Sequence, residues 1–129
     1  MTLPLRSARL TIRPFIEDDL MPIHALLDRA FNGGALVEDA AALAERRSWL
    51  QWSILSQRWF PALHQPAYGE RAVVLTTTGE LVAAVGLVPL VDVYDQIPEL
   101  RWSGAALPGA TAEVGLFWAT DPAHQGRGY

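Results

Sequence analysis

The chain has 129 residues, of which half are hydrophobic and 19% are charged, and its formal net charge at pH 7 is −4. This composition is typical of one folded globular domain and excludes a disordered chain. A net negative charge creates no sequence-wide attraction for nucleic acid. We therefore expect no nucleic-acid partner.

The chain contains no cysteine. This absence excludes disulfides, thiolate zinc sites and cysteine nucleophiles, and it makes an intracellular compartment the default expectation. The first ten residues carry charges and lack the long apolar stretch of a signal peptide. No window approaches 18 consecutive apolar residues, so no membrane span and no membrane partner are predicted. The sequence thus indicates a cytoplasmic protein.

Apolar periodicity predicts two helices and four strands: helices over 17–31 and 39–60, and strands over 8–14, 71–78, 80–90 and 112–120. The first strand alternates, with Leu10 and Ile12 on one face and polar residues on the other. Asp39 can cap the second helix. Gly79 is expected to turn a hairpin between the second and third strands. Gly86 inside the third strand predicts a bulge or a close backbone approach. A long loop is predicted over 92–110, and loops of that length are usually functional or mobile.

The last nine residues form a glycine-rich segment directly after the fourth strand. Gly126 and Gly128 flank Arg127 and allow a backbone path with positive φ. Such a path can turn successive N–H groups toward one point and form an anion-binding nest. Arg127 adds a permanent cation that suits phosphate oxygens. The functional interpretation is a phosphate cradle, and the plain alternative is a turn after a strand.

The run Asp-Pro-Ala-His-Gln-Gly-Arg-Gly-Tyr over 121–129 resembles the acyl-CoA loop of the GNAT N-acetyltransferase superfamily. That family follows a strand with Pro, two residues, and then Gln/Arg-x-x-Gly-x-Gly/Ala at the start of a helix. Gln125 and Gly128 match its first two fixed positions. The resemblance implies that the loop amides hold the pyrophosphate of acetyl-CoA and that the end of the strand pairs with its pantetheine arm. The implied cofactor-binding residues are Trp118, Ala119, Thr120, Gln125, Gly126, Arg127, Gly128 and Tyr129.

A second resemblance lies at the start of the chain. The strand Arg-Leu-Thr-Ile-Arg-Pro-Phe over 9–15, followed by an acidic helix start, is similar to the ribosomal-protein-alanine acetyltransferase branch of GNAT. Together the two resemblances imply an α+β fold, the N-terminal half of a GNAT-like domain with a mixed, mostly antiparallel sheet. The expected unit is a single incomplete domain over 1–129, a fragment that ends inside the pyrophosphate loop and lacks its C-terminal part.

The implied reaction is direct transfer of an acetyl group from acetyl-CoA to a primary amine, without a metal. The acceptor would be a small-molecule amine or a peptide N-terminus. Such a transfer needs a base or a water path for the amine proton. Glu113, at the start of what is expected to be the central strand, is the candidate base, and the plain alternative is a surface acid. The general acid of the family lies on a later helix and is expected beyond Tyr129. His24, His64 and His124 form no metal set and receive no catalytic role.

Trp49, Trp52 and Trp59 form an aromatic stripe on the second helix. Core packing is the preferred interpretation. The alternative is that one of them walls the acceptor pocket, since the first two helices of GNAT proteins lie beside the acceptor site.

Two other functions stay open. Gly126-x-Gly128 could begin a dinucleotide fingerprint, which needs a further glycine and a later acid and normally follows the first strand. The chain could also be a truncated, non-catalytic interaction domain. A sheet with one uncovered apolar face and an open edge is expected to self-associate. The 129 residues alone are therefore predicted to be poorly soluble and inactive.

Overall fold

The computed structural model describes residues 4–33, 39–91, 97–100 and 112–129. Two helices and five strands follow in chain order as β1 (Leu5–Arg6), β2 (Leu10–Arg13), α1 (Leu20–Phe31), α2 (Ala40–Ala62), β3 (Gly69–Leu75), β4 (Leu81–Val91) and β5 (Ala112–Thr120). The strands form one sheet in the order β1-β2-β3-β4-β5, and all four pairings are antiparallel. The predicted α+β fold with two helices is confirmed. The short strand β1 was not predicted, because two residues are too few to show an alternating pattern.

Both helices cover the same face of the sheet. α1 packs on β4 and β5, and α2 packs on β3 and against α1. The core between them is apolar, and burying each large side chain contributes about 1.5–3 kcal/mol relative to exposure. Phe15 joins the core and meets Trp49 edge to face, with ring centroids 5.4 Å apart. The core consists of Phe15, Leu20, Ile23, Leu26, Leu27, Leu50, Ala72, Val74, Ala84 and Ala119.

The helix boundaries follow from capping. The carboxylate of Asp39 accepts a hydrogen bond from the amide of Ala41 at 2.9 Å, so the predicted cap of α2 is confirmed. α2 ends two residues later than predicted and includes Pro61 in its last turn. The helix continues past this proline because the amide of Leu63 closes the turn on the carbonyl of Trp59 at 2.9 Å. The helix predicted over 17–31 begins as a 3₁₀ turn, Glu17–Asp19, before α1.

Strand β2 alternates as predicted, but its polar face is the one that meets the helices. Arg13 pairs in register with buried Ala72 and reaches the buried Asp19 carboxylate through two hydrogen bonds of 2.7 and 2.8 Å. Ile12 lies on the opposite face, opposite Leu5 of β1. The bidentate ion pair therefore joins the sheet to the start of α1, which period-2 patterning alone could not indicate.

The turn between β3 and β4 is longer than predicted. β3 ends at Leu75, and residues 76–79 form the turn, whereas the sequence placed the three threonines in the strand. Gly79 has φ +76°, as a glycine turn requires. Gly86 is a site of close approach, since a Cβ there would lie 2.6 Å from the carbonyl oxygen of Gly69. The irregularity in register lies at Val73 and Val74 instead.

The face of the sheet opposite the helices, here called the outer face, is strongly apolar. Its exposed members are Leu5, Leu87, Val91, Val114, Leu116 and Trp118. Arg71 lies among them, because it pairs in register with Val85, which in turn pairs with Trp118. Burial lowers the pKa of Arg71, and no carboxylate in the described part of the chain pairs with its guanidinium.

Two further expectations concern the rest of the chain. The loop predicted over 92–110 lies outside the described residues except for 97–100, where Pro98–Leu100 form a single 3₁₀ turn. Among the described helices, none combines the length and the apolar character that crossing a bilayer requires.

Candidate functional site

The glycine-rich segment leaves β5 through a capped turn. The amide of Asp121 donates to the carbonyl of Val82 at 3.0 Å and so ends the ladder with β4. The Asp121 carboxylate then accepts from the amide of Ala123 at 3.0 Å and caps the 3₁₀ turn Pro122–His124. Asp before Pro is a helix-start signal. Here it determines where the loop departs from the sheet.

The loop itself alternates in backbone handedness. Gly126 has φ +71° and Gly128 has φ +63°, whereas Arg127 between them does not have a positive φ. Alternation of handedness in a turn can direct successive amides into one concavity. The N–H groups of residues 126–129 donate to no acceptor among the described residues. These four consecutive free amides, with positive φ at both glycines, are the segment that the sequence predicted as an anion-binding nest, and they are called the nest below.

A partly buried ion pair holds the start of the loop. The guanidinium of Arg29, on α1, donates to the Asp121 carboxylate, which is 7% exposed. Burial alone would raise the pKa of Asp121. The hydrogen bonds from Arg29 and from the amide of Ala123, together with the charge of Arg29 and the proximity of His124, outweigh that effect and hold the pKa below its usual value. Asp121 therefore stays ionised and keeps the loop on α1.

Three more contacts fix the loop to the sheet. The Nε2 atom of His124 lies 3.1 Å from the Glu80 carboxylate in the β3–β4 hairpin. The side-chain amide of Gln125 donates to the carbonyl of Thr120 at 3.2 Å. Arg9, between β1 and β2, donates to the carbonyls of Arg127 and Gly128. No role in the site was predicted from the sequence for Arg9, Arg29, Glu80 or His124. Only the Asp-Pro cap had a local signal, because the other partners are distant in sequence.

A cleft of about 330 Å³ lies at the end of β5, next to the nest. It is lined by Ala30, Phe31, Trp118, Ala119, Thr120 and Gln125. Four of the eight predicted cofactor-binding residues thus line one cavity, and the other four continue from Gln125 as the exposed loop. Ala30 and Phe31, at the end of α1, also line the cleft and were not predicted from the sequence.

The outer edge of β5 is open in the described part of the chain, because β5 is the last strand of the sheet. Asp121 and Val82 form a hydrogen-bonded pair, and such pairs alternate along an antiparallel ladder. By this alternation Trp118 and Thr120 direct their backbone polar groups to the outer edge. An extended ligand arm could pair there with both backbone groups of Trp118 and with the amide of Thr120, whose carbonyl already accepts from the side chain of Gln125.

Glu113 lies at the other end of β5, where it pairs in register with Leu90. Seven residue-to-residue steps along the strand separate it from Thr120, a distance of about 23 Å. One carboxylate oxygen, Oε2, is buried and has no hydrogen-bond partner among the described residues. Glu113 is therefore not a plainly solvated surface acid. Its strand, expected to be central, is an edge strand of the described sheet.

The tryptophan stripe on α2 divides into two parts. Trp49 packs against the core, as the preferred interpretation predicted. Trp52 and Trp59 are more than half exposed, so core packing is wrong for these two. The reason is that α2 presents a single face to β3 and α1. Trp52 and Trp59, which are seven residues apart and so share one side of the helix, lie partly outside that face.

The histidines lie apart from one another. His24 is buried on α1, where its Nε2 lies 3.6 Å from a carboxylate oxygen of Asp28. His64 follows α2 in a loop with φ +56°. In the described ranges no three His, Asp or Glu side chains are placed to hold a metal ion together.

Three solved structures that match this chain are described as acetyltransferases. The acetyltransferase from Agrobacterium tumefaciens str. C58 matches with TM-score 0.60 and 21% identity, over 100% of this chain and 60% of that one. A protein from Bordetella pertussis assigned to the GNAT acetyltransferases matches with TM-score 0.54 and 21% identity, over 98% and 64%. A GNAT-family acetyltransferase from Bacillus anthracis matches with TM-score 0.53 and 16% identity, over 98% and 58%.

No protein-family profile and no curated protein sequence matches this chain. At the identities given above, the structural likeness concerns the fold. The chain spans about three-fifths of the length of the solved structures that it matches. Over that part, it has the fold of the GNAT acetyltransferases.

Proposed function

We propose that these 129 residues are the acyl-CoA-binding part of an N-acetyltransferase. The observation that carries the proposal is the nest at the end of β5, where the amides of residues 126–129 have no acceptor in the described part of the chain. A concavity of free amides beside an arginine suits a pyrophosphate. The shared fold with GNAT acetyltransferases supports acetyl-CoA as the ligand.

In this proposal acetyl-CoA binds along β5. The amides of residues 126–129 and the guanidinium of Arg127 hold the pyrophosphate. The pantetheine arm extends along the open edge past Thr120 and Trp118, with the cleft at Ala119 beside it. This direction leads the thioester from the nest toward the start of the strand, where Glu113 lies.

Direct transfer then follows without a metal. The neutral amine attacks the thioester carbonyl carbon, and the carbon–sulfur bond breaks as the thiolate departs. Glu113 accepts the proton of the amine, directly or through a water, which suits its unpartnered buried oxygen. The acid that protonates the thiolate is proposed to lie after residue 129. The acceptor is a peptide N-terminus, as in the ribosomal-protein-alanine branch, or a small-molecule amine.

Calorimetric titration of acetyl-CoA into the chain tests this proposal. Arg127→Glu should weaken binding by about 10- to 100-fold, since a charge-assisted hydrogen bond to phosphate contributes about 1.5–3 kcal/mol. The thermal midpoint should stay unchanged, because the Arg127 side chain has no partner among the described residues. The matched control is Arg47→Glu, a charge reversal on the exposed side of α2. Equal affinity of all three proteins, or no binding by the wild type, would contradict the proposal.

A second candidate is a non-catalytic interaction domain. The outer face favours it, because Leu116 and Trp118 are 60% and 67% exposed on an apolar sheet surface. We propose that this face and the open edge of β5 support self-association of the chain. The dinucleotide alternative gains no support, since the fingerprint belongs to a parallel βαβ unit and every described strand pair is antiparallel.

A further inference from the structure

Arg9 is the described side chain that hydrogen-bonds to the tip of the glycine loop. Its Nη1 donates to the carbonyl of Arg127 at 3.1 Å, and its Nη2 donates to the carbonyl of Gly128. The same guanidinium lies 5.0 Å from the ring centroid of Tyr129. One arginine thus contacts three consecutive residues that follow it by almost the full length of the chain.

This contact determines the direction of the loop amides. In a trans peptide the carbonyl oxygen and the following N–H point in opposite directions. When Arg9 captures the carbonyls of Arg127 and Gly128, the amides of Gly128 and Tyr129 must point away from it. The guanidinium also covers two oxygens that would repel an anion. Both effects favour a nest open on one side for a negative ligand.

Arg9 can serve as an anchor because its own backbone is fixed. Its carbonyl accepts from the amide of Thr76 in the β3–β4 turn at 2.9 Å. Its amide lies 3.4 Å from the hydroxyl oxygen of Ser7. The loop tip, by contrast, contains two glycines, whose ordering costs the most backbone entropy of any residue. An unanchored tip would have to order on binding each ligand molecule.

We propose that Arg9 is a positioning residue, whose two-pronged contact with the Arg127 and Gly128 carbonyls preorganises the nest for the pyrophosphate of an acyl-CoA. The inference rests on the proposed function. Arg9 acts through the geometry of its guanidinium and touches no reacting atom. The residue that positions the loop thus precedes Arg127 by 118 residues.

The variant Arg9→Lys separates the effect of the guanidinium geometry from the effect of the positive charge. It keeps the positive charge but cannot donate through a rigid fork to two carbonyls at once. The matched control is Arg6→Lys, because Arg6 is exposed on β1 and its side chain has no partner among the described residues. Two readouts are needed, affinity by calorimetry and loop order by ¹⁵N relaxation at Gly126 and Gly128.

For Arg9→Lys we expect about tenfold weaker binding of acetyl-CoA. Binding of acetyl-pantetheine, which lacks the pyrophosphate, should be unchanged. The backbone order parameters of the loop should fall from about 0.85 to below about 0.6. Arg6→Lys should match the wild type throughout. Wild-type affinity and loop order in Arg9→Lys would overturn the inference and leave the proposed function intact. Equal weakening of acetyl-CoA and acetyl-pantetheine would also overturn it. Failure of the wild type to bind acetyl-CoA would remove the proposed function and this inference with it.

Discussion

Asp121 joins the last strand to the loop, and its replacement by asparagine isolates the effect of its charge. Asparagine has nearly the same shape and keeps an oxygen that can accept from the amide of Ala123, so the cap on the short turn is retained. The ion pair with Arg29 is lost. In its place, an amide donor faces the guanidinium donors.

The size of the effect follows from the burial of the two partners. A hydrogen bond between charged groups contributes about 1.5–3 kcal/mol, and an exposed ion pair contributes less than about 1 kcal/mol. Asp121 is almost fully buried, but the side chain of Arg29 is 35% exposed and can be rehydrated when its partner is lost. We therefore expect Asp121→Asn to reduce the free energy of unfolding by about 1–2 kcal/mol at pH 7.

The pH dependence gives the sharper test. The pKa of Asp121 is lowered in the folded state, so its contribution is fully present above the unfolded-state pKa of about 3.9 and is lost as the pH falls through the folded value. Urea unfolding at low protein concentration, followed by tryptophan fluorescence, should show the difference between wild type and variant at pH 7. The difference should shrink below about pH 4.

Asp18→Asn is the control, because it makes the same chemical change at an exposed carboxylate without a partner among the described residues. It should change the free energy of unfolding by less than about 0.5 kcal/mol. Equal stability of the two variants at pH 7 would refute a stabilising role for the Asp121 charge. A loss in Asp121→Asn that persisted unchanged at pH 3 would also refute it, since the charge would then not be its cause.

Two further predictions concern the sheet. Gly86→Ala should lower the free energy of unfolding by about 2–3 kcal/mol, because its Cβ would meet the backbone of Gly69. Gly115→Ala should cost less than about 1 kcal/mol, because its one short contact is with the movable end of Leu90. Similar losses of the two variants in urea unfolding would contradict the close approach at Gly86. Leu116→Lys on the outer face should reduce self-association in sedimentation experiments, whereas Met21→Lys, an equally exposed apolar position on α1, should not. Unchanged association in Leu116→Lys would place the contact elsewhere.

The local signals in the sequence predicted the elements well. Apolar spacing located both helices, alternation located the first predicted strand, and a glycine between two β-rich runs located the hairpin strands. Asp39 marked the start of α2, where its carboxylate caps the helix. These features depend on a few neighbouring residues, and their physical basis is equally local. The glycines at 126 and 128 were informative for the same reason, because positive φ is a property of the residue itself.

The predictions from the sequence were wrong where two local arrangements of a residue are close in free energy. The threonines at 76–78 favour strands by propensity, but in the structure they belong to the four-residue turn of the hairpin. Trp52 fits an apolar pattern, but α2 meets the sheet along one face only, so that side chain is exposed. In both cases tertiary packing decided between two locally acceptable outcomes.

The sequence by itself located the two helices, four of the five strands, and the position of Gly126 and Gly128 after a strand, because backbone conformation and side-chain periodicity are encoded in consecutive residues. Only the tertiary structure showed what holds the nest in place. Arg9, Arg29 and Glu80 come from three separate parts of the chain, and folding of the sheet brings them to one end. Their contacts span many residues, so no local pattern could encode them. They exist because the antiparallel order of β2, β3, β4 and β5 places the starts and ends of these strands side by side.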